Sequence, residues 1–131
     1  MHKANPNAPA VLVADDDPDI RTFISHVLTD AGYQTRTAMD VLSAVGCLRS
    51  SAFAAVILDM LFVNSNGRSG LDLLHYIRSK PELKGLPVII LTGFPLNHTV
   101  VEEVESLGAD LWHKPFDDTL LVQRLSHLIF G

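Results

Sequence analysis

The sequence predicts a doubly wound α/β sandwich, a parallel five-stranded sheet in the order 2-1-3-4-5 with helices on both faces. Three observations predict it. Five short apolar runs alternate with five stretches of helical periodicity. The clearest runs, residues 11–14, 54–58 and 87–91, are continuously apolar rather than alternating, which is the mark of a sheet covered on both faces. A chain of 131 residues holds five such units but not the eight of a closed barrel.

Residues 11–14 form the first strand and run into Asp15, Asp16, Asp17 and Pro18. Asp17 suits the N-cap and Pro18 the first helical position. Ile20, Phe23, Ile24, Val27 and Leu28 then make an amphipathic stripe that Gly32 ends. Residues 33–37 are a weaker second strand, rich in β-formers. Asp40 caps a second helix carrying Val41, Leu42, Val45 and Leu48. The third strand, 54–58, ends at Asp59. A loop over 60–69, with Asn64, Ser65, Asn66 and Gly67, leads to a helix over about 70–79 with Leu71, Leu74 and Ile77 inside. The fourth strand, 87–91, ends at Thr92, and Val100, Val101, Val104 and Leu107 mark the helix closed by Gly108. A short fifth strand, 110–113, ends at Lys114 and Pro115; the last helix starts near Asp117 and turns Leu121, Leu125, Leu128 and Ile129 inward. No repeat or linker interrupts the pattern. The chain thus reads as a flexible arm, residues 1–9, and one flavodoxin-like domain, residues 10–131.

Composition narrows the function. With 47% hydrophobic and 19% charged residues the chain is an ordinary globular one. Fifteen acids against ten bases give a net charge of −5, which argues against a nucleic-acid interface or an anionic membrane surface. Cys47 is alone, so no internal disulfide forms; no apolar run spans a bilayer, and the start of the chain is no signal peptide. A cytoplasmic location is expected.

In an open α/β sheet the functional crevice lies at the carboxyl ends of the strands. Here strand one ends in Asp15 and Asp16, strand three in Asp59, strand four in Thr92 and strand five in Lys114. In the predicted order these strands are neighbours, so the side chains converge. Two carboxylates about 4 Å apart repel by roughly 4 kcal/mol at an effective dielectric near 20, so a proton or a cation is called for. Oxygen ligands from carboxylates suit Mg²⁺. A metal beside a hydroxyl and an ammonium suits phosphoryl transfer, and a carboxylate can itself be the nucleophile.

Four stretches carry a family resemblance. They are Val11-Leu12-Val13-Ala14-Asp15-Asp16-Asp17-Pro18-Asp19-Ile20-Arg21, Val56-Ile57-Leu58-Asp59, Pro87-Val88-Ile89-Ile90-Leu91-Thr92, and Gly108-Ala109-Asp110 followed by Lys114-Pro115-Phe116. In this order the chain resembles the receiver domain of response regulators over about residues 10–130. The resemblance implies that Asp59 accepts a phosphoryl group from a histidine kinase or phosphotransfer protein, and that the domain catalyses its own phosphorylation and dephosphorylation. It implies Mg²⁺ held by Asp16 directly, by Asp15 through water, by Asp59 and by the Leu61 carbonyl. It implies that Thr92 and Lys114 bind the phosphoryl oxygens, that the Lys114–Pro115 bond is cis, and that helix one, near Arg21, Thr22 and Ser25, selects the kinase. The switch surface it implies is helix four, strand five and helix five, around Val101, Glu102, Glu105, Trp112 and Arg124, with a downstream protein or a second copy as partner.

Three departures from the family pattern stand out. Val63 occupies the place of a usual proline, and Gly70 lies eleven residues after Asp59 rather than about eight, so the loop over 60–69 is lengthened. The stretch from Gly108 to Lys114 is one residue short; the switch-aromatic position holds Leu111, with Trp112 next to it as a substitute or a sign of different coupling. The two positions that tune phosphate hydrolysis in the family hold apolar Leu61 and Phe94, which implies slow dephosphorylation. Two rival functions remain. A receiver-like scaffold would bind partners without phosphorylation. A haloacid-dehalogenase-like phosphohydrolase would use Asp15 as nucleophile and Asp17 as acid/base, but leaves Asp59 unexplained. The six histidines form no His-x-x-x-His pair and read as surface residues.

Overall fold

The structure, a computed structural model, describes residues 7–62 and 67–131. Ten elements follow in strict alternation: β1 (Ala10–Ala14), α1 (Pro18–Asp30), β2 (Gln34–Ala38), α2 (Val41–Ser50), β3 (Ala55–Asp59), α3 (Gly70–Ser79), β4 (Val88–Thr92), α4 (His98–Ser106), β5 (Asp110–His113) and α5 (Asp118–Phe130). The strands form one sheet in the order β2-β1-β3-β4-β5, every pair parallel. Residues 1–6 of the expected arm and residues 63–66 of the lengthened loop lie outside the described residues. Ala8 and Pro9 offer their carbonyls to the Gln34 side chain and backbone, each at 3.0 Å.

Side chains alternate across each strand, and two cores result. Leu12, Val56, Leu58, Val88 and Ile90 face α2, α3 and α4, where Ala44, Leu48, Leu73, Leu74, Ile77 and Val104 meet them. Val11, Val13, Ile57, Ile89 and Leu91 face Ile24 and Leu28 of α1 and Leu121 and Leu125 of α5. Covering both faces is what continuously apolar strands require, since each buried Leu or Ile contributes about 1.5–3 kcal/mol.

Four of the five helix starts are set by side-chain caps. Asp17 accepts from the Asp19 amide at 2.9 Å, Asp40 from Ser43 at 2.7 Å, Asn97 from Val100 at 2.9 Å and Asp117 from Leu120 at 3.0 Å. Asn97 explains why α4 begins ahead of its apolar stripe. β2, β3 and β4 each begin and end one residue later than the hydrophobic pattern predicts. Tyr33 is drawn out of β2 because its amide closes on the Leu28 carbonyl at 3.0 Å, after Gly32 turns the chain at φ +97°, and its hydroxyl meets Ser126 at 2.6 Å. Asp59 and Thr92 stay in the sheet, opposite Leu91 and His113 respectively. They are therefore the last residues of strands rather than the first of loops, and the sheet holds their backbones rigidly.

Candidate functional site

At the carboxyl edge of the sheet the carboxylate oxygens of Asp15, Asp16 and Asp59 all lie within 4.8 Å of one another. Lys114 enters from the end of β5, where its amide bonds the Thr92 carbonyl at 2.8 Å. Its ammonium stands 3.2 Å from Asp15 Oδ2 and 3.4 Å from Asp59 Oδ1. The Lys114–Pro115 peptide is cis. Asp15, Asp59 and Thr92 are the buried polar residues among those described. Carboxylates from the ends of β1 and β3 thus meet the ammonium of Lys114, and Thr92 at the end of β4 joins them through its backbone carbonyl.

Each side chain has a distinct state. Asp15 is engaged at both oxygens: Oδ1 accepts from the Asp17 amide at 2.9 Å and Oδ2 from Lys114. Asp16 and Asp59 each place a carboxylate oxygen in the cluster, and Asp59 Oδ1 also faces Lys114. Thr92 is fully buried, and its hydroxyl donates to the Phe94 carbonyl at 2.9 Å, turned to its own loop rather than to Asp59. Leu61 and Phe94 are both close to half exposed. Asp17 serves as the helix cap and is not one of the three clustered carboxylates, which removes the acid/base group that the phosphohydrolase alternative needs.

The site is electrostatically loaded. Burial, reinforced by the charge of Asp15, raises the Asp59 carboxyl from 3.8 to about 6, with Lys114 opposing the rise. Burial likewise raises Asp15. Burial pulls Lys114 down, but the charges of Asp59 and Asp15 more than offset it, so its pKa lies above the ordinary value. An all-oxygen donor set of this size fits Mg²⁺, whose charge would offset the mutual repulsion of the clustered carboxylates.

A stability prediction follows from Asp59. Between pH 4 and pH 6 the folded protein holds more protons than the unfolded chain, so the contribution of this group is complete below about pH 4 and is lost as pH rises through about 6. The displacement corresponds to about 3 kcal/mol. Asp59→Asn is expected to stabilise the metal-free protein by about 2–3 kcal/mol at pH 7.5 and by little at pH 4, read by urea unfolding in EDTA. Equal effects at the two pH values overturn the assignment.

Of the two readings of Trp112, the structure favours different coupling. Trp112 does not take the place of the switch aromatic. Leu111 sits opposite Ile90 and packs on the α2–α3–α4 side, whereas Trp112 packs with Phe116 on the α1–α5 side. Strand alternation places the two residues on opposite faces, so one cannot stand in for the other. Asp110, on the same side as Trp112, is held by Arg124, whose Nη2 lies 3.0 Å from Oδ1. That pairing lowers the Asp110 carboxyl and occupies the Arg124 guanidinium within the chain. His75 of α3 meets Glu103 of α4 at 2.5 Å, an interhelix pair that no local pattern in the sequence announces.

Sequence elsewhere matches this arrangement. The family model for the response regulator receiver domain matches residues 11–126. The chain is 34% identical over 129 residues to the probable transcriptional regulatory protein TcrX of Mycobacterium tuberculosis, a match over 98% of this chain and 53% of that protein. The chain therefore spans about half the length of that relative. It is 31% identical over 119 residues to the chemotaxis protein CheY-3 of Vibrio cholerae, over 90% of this chain and 89% of that one. The solved structure of the chemotaxis response regulator CheY4 of Vibrio cholerae superposes with a TM-score of 0.80 at 29% identity, covering 93% of this chain and 99% of that one. No helix among the described residues is long and apolar enough to cross a membrane.

Proposed function

The chain belongs to the response regulator receiver domain family, and on that premise we propose that Asp59 is the phosphoryl acceptor of a two-component relay. The receiver module spans residues 10–131 and takes its phosphoryl group from a histidine kinase or phosphotransfer protein in the cytoplasm. The observation that carries this reading is the junction of Asp59 with Lys114 at 3.4 Å inside a three-carboxylate cluster. Asp16, Asp59 and the Leu61 carbonyl would hold Mg²⁺, with Asp15 acting through water. The ion would supply positive charge to the transferring phosphoryl oxygens.

The residues of the chain do the rest. Asp59, ionised above about pH 6, attacks phosphorus with a carboxylate oxygen. The O–P bond forms as the bond from phosphorus to the donor breaks, and the leaving group keeps the electron pair. Lys114 neutralises one phosphoryl oxygen. Thr92 leaves the Phe94 carbonyl to donate to another, which frees that carbonyl and biases the loop before α4. Through α4, β5 and α5 the change reaches a protein partner. Leu61 and Phe94, apolar and exposed beside the site, restrict attacking water.

The test is incubation with acetyl phosphate and Mg²⁺ followed by intact mass. One phosphoryl group is expected, absent from Asp59→Asn and from a metal-free sample. The double variant Leu61→Asn/Phe94→Glu is expected to shorten the life of the adduct. An adduct retained by Asp59→Asn, or none under any donor, overturns the reading.

A further inference from the structure

Asp15 is held at every polar atom. Its amide donates to the Ala38 carbonyl at 3.0 Å, and its carboxylate accepts from the Asp17 amide and from Lys114. The fourth contact comes from outside the strand ends: Arg21 Nη1 donates to the Asp15 carbonyl at 2.7 Å. Arg21 stands on the first turn of α1, its own amide bonded to the Asp17 carbonyl at 3.1 Å, so the guanidinium reaches back from a fixed base over the acidic turn. It is half-buried, and its guanidinium turns back to the Asp15 carbonyl.

The carbonyl of Asp15 and the amide of Asp16 belong to one rigid peptide plane. Gripping the oxygen fixes the plane, and the plane fixes where the Asp16 side chain starts. β1 ends at Ala14, and the amide of Asp15 is still tied across to the Ala38 carbonyl, so Asp16 lies one residue beyond the last strand-to-strand bond. We infer that Arg21 is a positioning residue that sets the Mg²⁺ affinity of the site by holding the Asp15–Asp16 peptide in the metal-facing orientation. The inference rests on the Mg²⁺ reading of the site given above.

Charge and positioning make opposite demands here, which gives the test its sign. A guanidinium beside a cation site repels the ion, so a purely electrostatic Arg21 weakens Mg²⁺ binding and its removal tightens it. A positioning Arg21 strengthens binding and its removal loosens it. Mg²⁺ is titrated into the wild type, Arg21→Ala and Arg21→Lys at constant ionic strength, followed by the amide chemical shifts of Asp16 and Asp59, with thermal unfolding in EDTA as the folding control. Arg21→Ala is expected to weaken Mg²⁺ binding about tenfold, the scale of lost outer-shell support. Arg21→Lys, which keeps an N–H within reach of the carbonyl, is expected to recover most of that loss. Should Arg21→Ala fail to fold, Arg21→Gln takes its place in the comparison. Unchanged or tighter binding in the neutral variant overturns the inference, as does a lysine no better than alanine. Absence of Mg²⁺ binding in the wild type overturns the reading of the site itself, a separate and distinguishable result.

Discussion

Gly70→Ala is expected to destabilise the protein by about 3 kcal/mol, the upper end of overpacking costs, as read from urea unfolding. Gly70 opens α3, and its amide bonds the Met60 carbonyl at 2.8 Å, which draws the two ends of the lengthened loop together. A methyl group there would strike the Asp59 carbonyl, stand 2.7 Å from Leu58 Cδ1 and lie 3.0 Å from Met60 Cα. Two of those three atoms are backbone at the end of a central strand and cannot step aside as a flexible side chain could. The relief available is a shift of β3 itself, so the same variant should also slow phosphorylation of Asp59. Gly46→Ala is the control: it lies in α2 with nothing near its missing methyl and should stabilise slightly, by about 0.5–1 kcal/mol. A loss at Gly70 no larger than about 1 kcal/mol would refute the close approach.

Arg78→Ala should cost about 3–4 kcal/mol, because the guanidinium closes three backbone ends at once. Its Nε donates to the Leu107 carbonyl at 2.6 Å, and its Nη1 to Leu86 at 2.7 Å and Lys84 at 3.1 Å. Leu107 caps the C-terminus of α4, where carbonyls lack helical partners and a cation is favoured by the helix dipole. Leu86 and Lys84 belong to the approach to β4. Truncation removes charge-assisted bonds and leaves part-buried carbonyls without their donor, and the two penalties add. Arg78→Lys keeps the charge but cannot serve both directions, so about half of the loss should remain in denaturant unfolding. If lysine restores full stability, the contribution is charge alone and the forked geometry is irrelevant.

These two residues show what a sequence conceals. The alternation of strand and helix, the strand order and the convergence of Asp15, Asp16, Asp59 and Lys114 are legible because they follow from periodicity and from a rule about strand ends. Local chemistry carries the caps too, since Asp17, Asp40 and Asp117 act on amides two or three residues away. The destinations of long polar side chains are not legible in the same way. Arg78 finds its acceptors up to about thirty residues along the chain, and Arg21 turns back to a carbonyl rather than outward. Gly70 looks like a helix start until β3 is seen lying against it. The face chosen by Trp112 depends on strand parity, which one missing residue between Gly108 and Lys114 would invert. Each of these depends on packing between elements, which composition and spacing do not encode.

The strand order has a consequence for resistance to aggregation. Ala-Val-Ile-Leu-Asp of β3 and Val-Ile-Ile-Leu-Thr of β4 are short, apolar, rich in β-branched residues and nearly free of charge, the profile of a segment prone to cross-β stacking. Both occupy the interior of the sheet, where hydrogen-bonded neighbours on each side leave no free edge. The margins go to Gln-Thr-Arg-Thr-Ala of β2 and Asp-Leu-Trp-His of β5, each carrying a charged residue that discourages a further strand from pairing there. The arrangement that gathers the acidic site thus also keeps these apolar stretches inaccessible for as long as the domain is folded.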